Sequence, residues 1–140
     1  MAEATATYKK PLPKRRGVAG QFYDFCKKHE LRFQRCTSCQ TWRHVPRDMC
    51  AKCGSFDWEW AKSSGKGKVF SWTTAEQVML PQFADDVPYN ASVIELEEGV
   101  RMVSWVIDIP NDELRLDLPV EVFFDDVTPE VTLPKFRRMK

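Results

Sequence analysis

The sequence predicts a mainly β chain with one helix near its N-terminus, a small four-cysteine metal ribbon and a five-stranded barrel in its C-terminal half. Three observations predict this. Four of the five cysteines fall between Cys36 and Cys53. The stretch just before them, "GQFYDFCKKHEL", places Phe22, Phe25, Cys26 and His29 at helical spacing. From Lys66 onward, short runs rich in β-branched and aromatic residues are separated by glycine, proline and acidic turns.

Residues 1–17 form a basic arm, expected to be mobile. Pro11, Pro13 and five Lys or Arg residues give it little apolar surface to bury. Residues 18–30 make the helix. Cys26 within it is a small buried hydrophobe rather than a nucleophile, because no activating partner is in sight. His29 belongs to the helix surface or its cap. Residues 31–60 form the ribbon, with Phe33, Trp42, Trp58 and Trp60 packed around it. The helix and ribbon together span 18–62, and the barrel spans 63–140.

The cysteine spacing is Cys36-x-x-Cys39, ten residues, then Cys50-x-x-Cys53. A redox dithiol needs one such pair, whereas two pairs suit a tetrahedral site of four thiolates. Each pair forms a tight knuckle aiming two sulfurs at one ion. Zinc is the expected metal, and iron also suits four thiolates. Four protein ligands leave no open position, so the site is structural. So short a segment has little core of its own. Metal binding of this type supplies about 10–16 kcal/mol at neutral pH. Gly54 follows the second knuckle, where a left-handed turn is often needed, and Gln40 takes the matching place after the first at some steric cost. His44 lies inside the ribbon loop, and four sulfurs leave it no role as a fifth ligand.

In the barrel half, "GKVFSWTTAEQVM" is the first strand. "NASVIELEEGVRMVSWVIDI" is a hairpin turning at Glu98-Gly99, "LPVEVFFDDV" is a further strand, and "EVTLPKF" is a last edge strand. The economical closed form for such strands is an OB-fold. "LPQFADDVPYN" is a long loop of the kind that carries function.

The chain has 140 residues, 43% hydrophobic and 29% charged, with no apolar run of membrane-spanning length. "MAEATATYKKPLPKRR" lacks the apolar core of a secretory signal, so a cytoplasmic, reducing location is expected. Net charge is +1 but uneven. Residues 1–68 hold 15 Lys or Arg against 6 Asp or Glu, a balance of +9; residues 69–140 hold 6 against 14, a balance of −8. Such asymmetry points to an interaction surface.

"LRFQRC" leading into the first knuckle, then "VPRDMCAKCGS", "SGKGKVFSWTT" and "VPYNASVIELEEGVRM", resembles a known family. These are the rubredoxin-like zinc-ribbon plus OB-fold proteins of domain-of-unknown-function family thirty-five. The resemblance runs from about residue 20 to residue 125, with two departures: Gln40 replaces a usual glycine and Ala51 a common proline. It implies a non-catalytic accessory subunit of a thiolase-fold enzyme acting on acyl-CoA thioesters. Thiolytic cleavage of a 3-oxoacyl-CoA is the leading reaction, with retro-aldol cleavage and acyl transfer as the others. It also implies a hetero-oligomer, two copies on a catalytic dimer, that shares coenzyme A or acyl-CoA with its partner.

The residues agree with a non-catalytic role. Neither His29 nor His44 sits in a nucleophile–base motif. Asp85-Asp86, Glu97-Glu98 and Asp125-Asp126 are adjacent residues, which strands turn to opposite faces, so they are expected to be solvated edges rather than acid/base pairs. Lys62, Lys66 and Lys68 flank the glycines of "KSSGKGK" and are the candidates for a CoA phosphate. No phosphate-loop consensus accompanies them, which favours an ordinary solvated turn over a phosphate site. The competing function is a single-stranded nucleic-acid-binding module, in which Trp42, Trp58, Trp60, Trp72 and Trp105 would stack on bases. The −8 of the barrel half opposes it.

Overall fold

The computed structural model describes residues 8–139. Helix α1 (Gly17–Lys27) buries Phe22 and Cys26. It is shorter at its C-terminal end than its periodicity predicts. His29 adopts φ 60, and its N–H bonds back to the Cys26 carbonyl, so the chain turns out of the helix there. The ribbon follows as strands β1 (Arg32–Cys36), β2 (Trp42–Arg43) and β3 (Trp58–Lys62), in the sheet order β2-β1-β3. Both pairings are antiparallel.

The barrel comprises β4 (Lys66–Ala75), β5 (Tyr89–Leu96), β6 (Arg101–Ser104), β7 (Pro119–Asp126) and β8 (Thr132–Arg138), in the order β6-β5-β4-β7-β8. A parallel bridge between Val106, just past β6, and Phe136 of β8 links the two edges. This is the five-stranded OB topology. β4 serves two neighbours: it pairs with β5 along its length and with β7 through Lys66–Lys68. A register shift between Val69 and Ser71 bends it to do so. Its first half also needs Gly67, since a Cβ there would lie 2.4 Å from the Glu95 carbonyl oxygen. β4 ends at Ala75 rather than continuing through Met79, and residues 76–88 form a loop with a short 3-10 turn at Pro81–Phe83. The β5–β6 hairpin turns at Gly99, φ 91, as its sequence predicts.

β5 alternates strictly between half-buried and buried positions, and Asn90, Ser92, Ile94 and Leu96 face inward. Ile94 and Leu96 join Val69, Met102, Val120 and Phe136 in the barrel core. The same cluster continues without a break into Phe22 and Cys26 of α1 and Leu31 and Phe33 of the ribbon. The helix therefore packs into one end of the barrel and carries the ribbon with it. Full burial of each such apolar side chain contributes about 1.5–3 kcal/mol.

The basic arm is described from Tyr8 onward. Lys10 Nζ lies 2.5 Å from Asp86 Oδ2 and within 6 Å of the Phe83 and Trp105 rings. Arg15 Nη1 donates to the Glu130 carbonyl, 3.4 Å. Among its described residues the arm thus meets the barrel surface at Lys10 and Arg15.

Buried Asn90 acts as a piece of backbone. Its Nδ2 donates to the Val106 carbonyl (2.9 Å) and its Oδ1 accepts from the Val106 N–H (3.0 Å). Replacing Asn90 with alanine leaves both groups unpaired in a buried setting. Asn90→Ala is expected to lose about 1–3 kcal/mol in urea unfolding, with the transition still two-state.

Candidate metal centre

The two cysteine pairs are built alike. Gln40 N–H bonds to the Cys36 carbonyl (2.9 Å) and Gly54 N–H to the Cys50 carbonyl (2.8 Å). Cys36 N–H bonds to the Thr41 carbonyl and Cys50 N–H to the Ser55 carbonyl, at 2.9 and 2.8 Å. Both closing residues are left-handed, Gln40 at φ 65 and Gly54 at φ 78. The first knuckle therefore holds its turn without glycine, and Gln40 Nε2 donates to the Thr37 carbonyl (3.1 Å) across it.

The two turns bring all four sulfurs within 4.8 Å of one another. Cys36–Cys53 and Cys39–Cys50 are each 3.6 Å apart. Four sulfurs about 2.3 Å from one zinc would stand roughly 3.8 Å apart at tetrahedral angles. The donor set and spacing fit zinc. Thr41 hydrogen bonds lower the Cys39 thiol to about 6, and the Cys39 backbone N–H leads the lowering at Cys36. At Cys53 the Ser55 N–H also lowers the thiol, but neighbouring sulfurs, Cys36 foremost, drive it up to about 12. The sulfurs therefore stand close enough to share protons by hydrogen bonding, and a dication would take the place of those protons.

His44 is absent from this cluster. Its ring lies 5.0 Å from Phe22 and 5.2 Å from Phe33, between helix and ribbon, and burial lowers its pKa to about 4. Cys26 is fully buried, and burial pushes its thiol up to about 12, so it is inert. His29 stands past the helix end, stacked on Phe124, with Nε2 3.1 Å from both Asp126 oxygens.

Two of the carboxylate pairs, Glu97-Glu98 and Asp125-Asp126, also tie the chain together, while Glu97 and Asp126 stay exposed at the surface as their sequence suggests. Those two pairs lie at strand ends and turns, where both members reach partners, whereas in the β4–β5 loop Asp86 meets Lys10 and Asp85 is exposed. Glu98 accepts from Ser63 Oγ (2.6 Å) and Ser64 N–H (2.9 Å), and Glu97 accepts from Ser64 Oγ (2.9 Å). The hairpin tip thus clasps the link between ribbon and barrel. Asp125 takes Lys135 at 2.6 Å, and Asp126 takes Thr132 as well as His29.

Lys66 and Lys68 line a cleft of about 470 Å³ that Lys62 does not reach. Glu95, Glu97 and Asp117 share that cleft, and Lys68 Nζ sits 3.4 Å from Asp117 and 3.9 Å from Glu95. The three lysines therefore do not converge. Among the described residues Lys62 and Lys66 have no carboxylate within 4.0 Å. A second cleft of about 350 Å³ opens where α1, residues 44–46 and the barrel meet. It escapes sequence reasoning, because its walls come from four separate segments. Its one local signal is solvent-exposed Val45 and Val103.

A closed four-thiolate ribbon sharing its core with an OB-fold barrel defines a structural-metal protein of the zinc-ribbon–OB class. The chain belongs to the DUF35 family. Residues 24–59 match the ChsH2 rubredoxin-like zinc ribbon domain and residues 60–125 the ChsH2 C-terminal OB-fold domain. It is 30% identical to a DUF35 domain-containing scaffold protein of Methanothermobacter thermautotrophicus, covering 65% of this chain and 84% of that one. It is 37% identical to a probable enoyl-CoA hydratase alpha subunit of Thermomonospora curvata, over 83% of this chain. The chain spans only 36% of that relative's length. A chain in the solved structure of the Ltp2-ChsH2(DUF35) aldolase superposes with a TM-score of 0.79 at 35% identity, covering 92% of this chain and 98% of that one.

Two outcomes follow from the centre. Elemental analysis is expected to find zinc on the wild-type chain and none on Cys36→Ser, whose ribbon amides should exchange like those of an unfolded segment. A Cys36→Ser protein that keeps its ribbon protection contradicts the structural role. His44 is held neutral in the fold, with a pKa of about 4 against 6.5 when unfolded. The unfolded state therefore binds more protons between those values. The His44 contribution is fully present above pH 6.5 and falls as pH drops toward 4. His44→Phe should flatten that part of the stability–pH curve measured by denaturant titration.

Proposed function

We propose that this chain is a non-catalytic, zinc-stabilised accessory subunit of a thiolase-fold enzyme acting on acyl-CoA thioesters. The partner's leading reaction is thiolytic cleavage of a 3-oxoacyl-CoA. The observation that carries the proposal is the closed metal centre together with the near-complete superposition on a chain of an aldolase complex. Four sulfurs leave the ion nothing with which to activate a substrate. Among the described residues no histidine is paired with a nucleophile. The relative named as an enoyl-CoA hydratase subunit, and another named as a 3-oxo-4,17-pregnadiene-20-carboxyl-CoA hydratase alpha subunit from Mycobacterium tuberculosis, support CoA thioesters as the substrate class. The thiolase-fold partner rests on the family resemblance read from the sequence. Two copies would sit on a catalytic dimer, help to form its CoA site and stabilise it. Of the candidate lysines Lys62, Lys66 and Lys68, the first two carry no ion pair among the described residues, and either one alone could meet a CoA phosphate.

Four of the five tryptophans, Trp42, Trp58, Trp60 and Trp72, support this reading over nucleic-acid binding. Trp60 packs on Phe25 and Trp58, and its Nε1 donates to Gln21 (2.8 Å). Trp42 and Trp72 lie against the core. Their faces serve packing rather than a base-stacking surface.

Affinity purification of the tagged chain is expected to recover a thiolase-fold subunit in stoichiometric amount, retained at high salt. Acyl-CoA cleavage should be absent from the isolated chain and should fall at least tenfold when the chain is stripped from its partner. Retention on single-stranded DNA that weakens steeply with salt, with no such partner, would instead support the nucleic-acid module.

A further inference from the structure

The barrel is not fully closed. β6 and β8 are joined at the Val106–Phe136 bridge, where Phe136 N–H bonds to the Trp105 carbonyl and Ile107 N–H to the Phe136 carbonyl. Beyond it toward the start of β6, the one tie among the described residues is Ser104 Oγ donating to the Pro134 carbonyl (2.7 Å). The 350 Å³ cleft lies in this gap. Its walls include the consecutive residues Met102–Trp105 and 133–135. Neighbouring residues on a strand face opposite sides of the sheet, so a cavity touching consecutive residues of two strands opens onto their edges. The helix and the ribbon residues Val45 and Pro46 form its remaining wall.

The phase of the ladder tells which groups face the gap. Leu96 N–H bonds to the Val100 carbonyl, and Val106 pairs with Asn90 on β5, so even-numbered residues of this stretch pair with β5. Trp105 and Ile107 pair with β8. By alternation, the N–H and C=O of Arg101 and Val103 point into the gap. They have no partner there among the described residues. Pro134 on the opposite edge offers no N–H. The gap is thus a one-sided ladder under an apolar cleft, with the Val103 side chain 67% exposed.

The geometry points to this β6 edge as the place where an extended, uncharged segment of the catalytic subunit adds as a further strand, its alternate side chains seated in the cleft between α1, Val45 and Trp105. This rests on the accessory-subunit reading above. The charge of the cleft selects the segment: Lys135 is neutralised by Asp125 at 2.6 Å, and burial holds His44 neutral, so nothing there pairs with a charged residue. An acyl chain could fill the cleft but not satisfy two N–H and two C=O groups. A second copy would present the same recessed edge, and two concave edges cannot meet. A protruding strand meets both requirements.

Val103→Pro tests this. Proline removes a gap-facing N–H while leaving the β5–β6 hydrogen bonds intact. With the catalytic subunit recovered on the wild-type chain and re-titrated, Val103→Pro should bind at least tenfold more weakly, with zinc content unchanged and Tm within a few degrees. Equal affinity overturns the proposal. Should Val103→Pro fold poorly, hydrogen exchange on the wild type decides. The Arg101 and Val103 amides should slow at least tenfold in the complex, and unchanged exchange overturns the proposal. Protection that appears with rising concentration of the chain alone, or with acyl-CoA alone, also overturns it. A wild-type chain that recovers no catalytic subunit overturns both readings. A wild-type chain that recovers one which Val103→Pro binds equally well overturns only this one.

Discussion

Four thiolates within 4.8 Å of one another are the constraint on which this protein depends. Without a cation, four thiolates so close would repel one another. With one, the repulsion becomes four bonds that fix two knuckles and the short sheet between them. The ribbon cannot replace this stabilisation from its own packing, because its buried apolar side chains belong to a core it shares with the helix and the barrel. The metal shapes the ribbon, and the shared core places it.

Placement is further secured by polar contacts that look idle in the sequence. Glu97 and Glu98 at the β5–β6 tip hold Ser63 and Ser64, so the link between ribbon and barrel is clasped from the barrel side. His29 and Asp126 join the helix end to β7, stacked over Phe124. Lys10 ties the arm to the β4–β5 loop. Each contact is exposed or half-exposed and contributes modestly alone. Together they orient one unit against the other, as a subunit that presents a composite surface requires.

The residue chemistry explains why such a protein would act through a partner. Its metal site leaves no open coordination position, its one thiol outside the ribbon is buried, and the carboxylates of Glu97, Glu98, Asp125 and Asp126 are engaged in holding the chain together. What it exposes is shape: a cleft between helix, ribbon and barrel, and an unpaired strand edge beside it. This division of labour accords with relatives described as scaffolds and as subunits.

The amino-acid sequence by itself determined the parts. Cysteine spacing pointed to the metal ligands, since two C-x-x-C turns suit one four-thiolate ion better than a single redox pair. Alternation and turn residues marked the strands, although propensity carried the first barrel strand past Ala75, where the next position across on β5 would be Pro88, which has no N–H to pair. The helical period ran to Glu30, because the left-handed turn at His29 is not visible in a pattern of apolar residues. The tertiary structure decided everything that depends on distant segments meeting: the continuous core, the clasp of Ser63–Ser64 by Glu97–Glu98, the separation of Lys62 from Lys66 and Lys68, and the gap between β6 and β8. Local sequence encodes backbone preference and periodicity over a few residues. Contacts between residues 22, 44, 103 and 134 arise only when the barrel closes and the helix packs against its end.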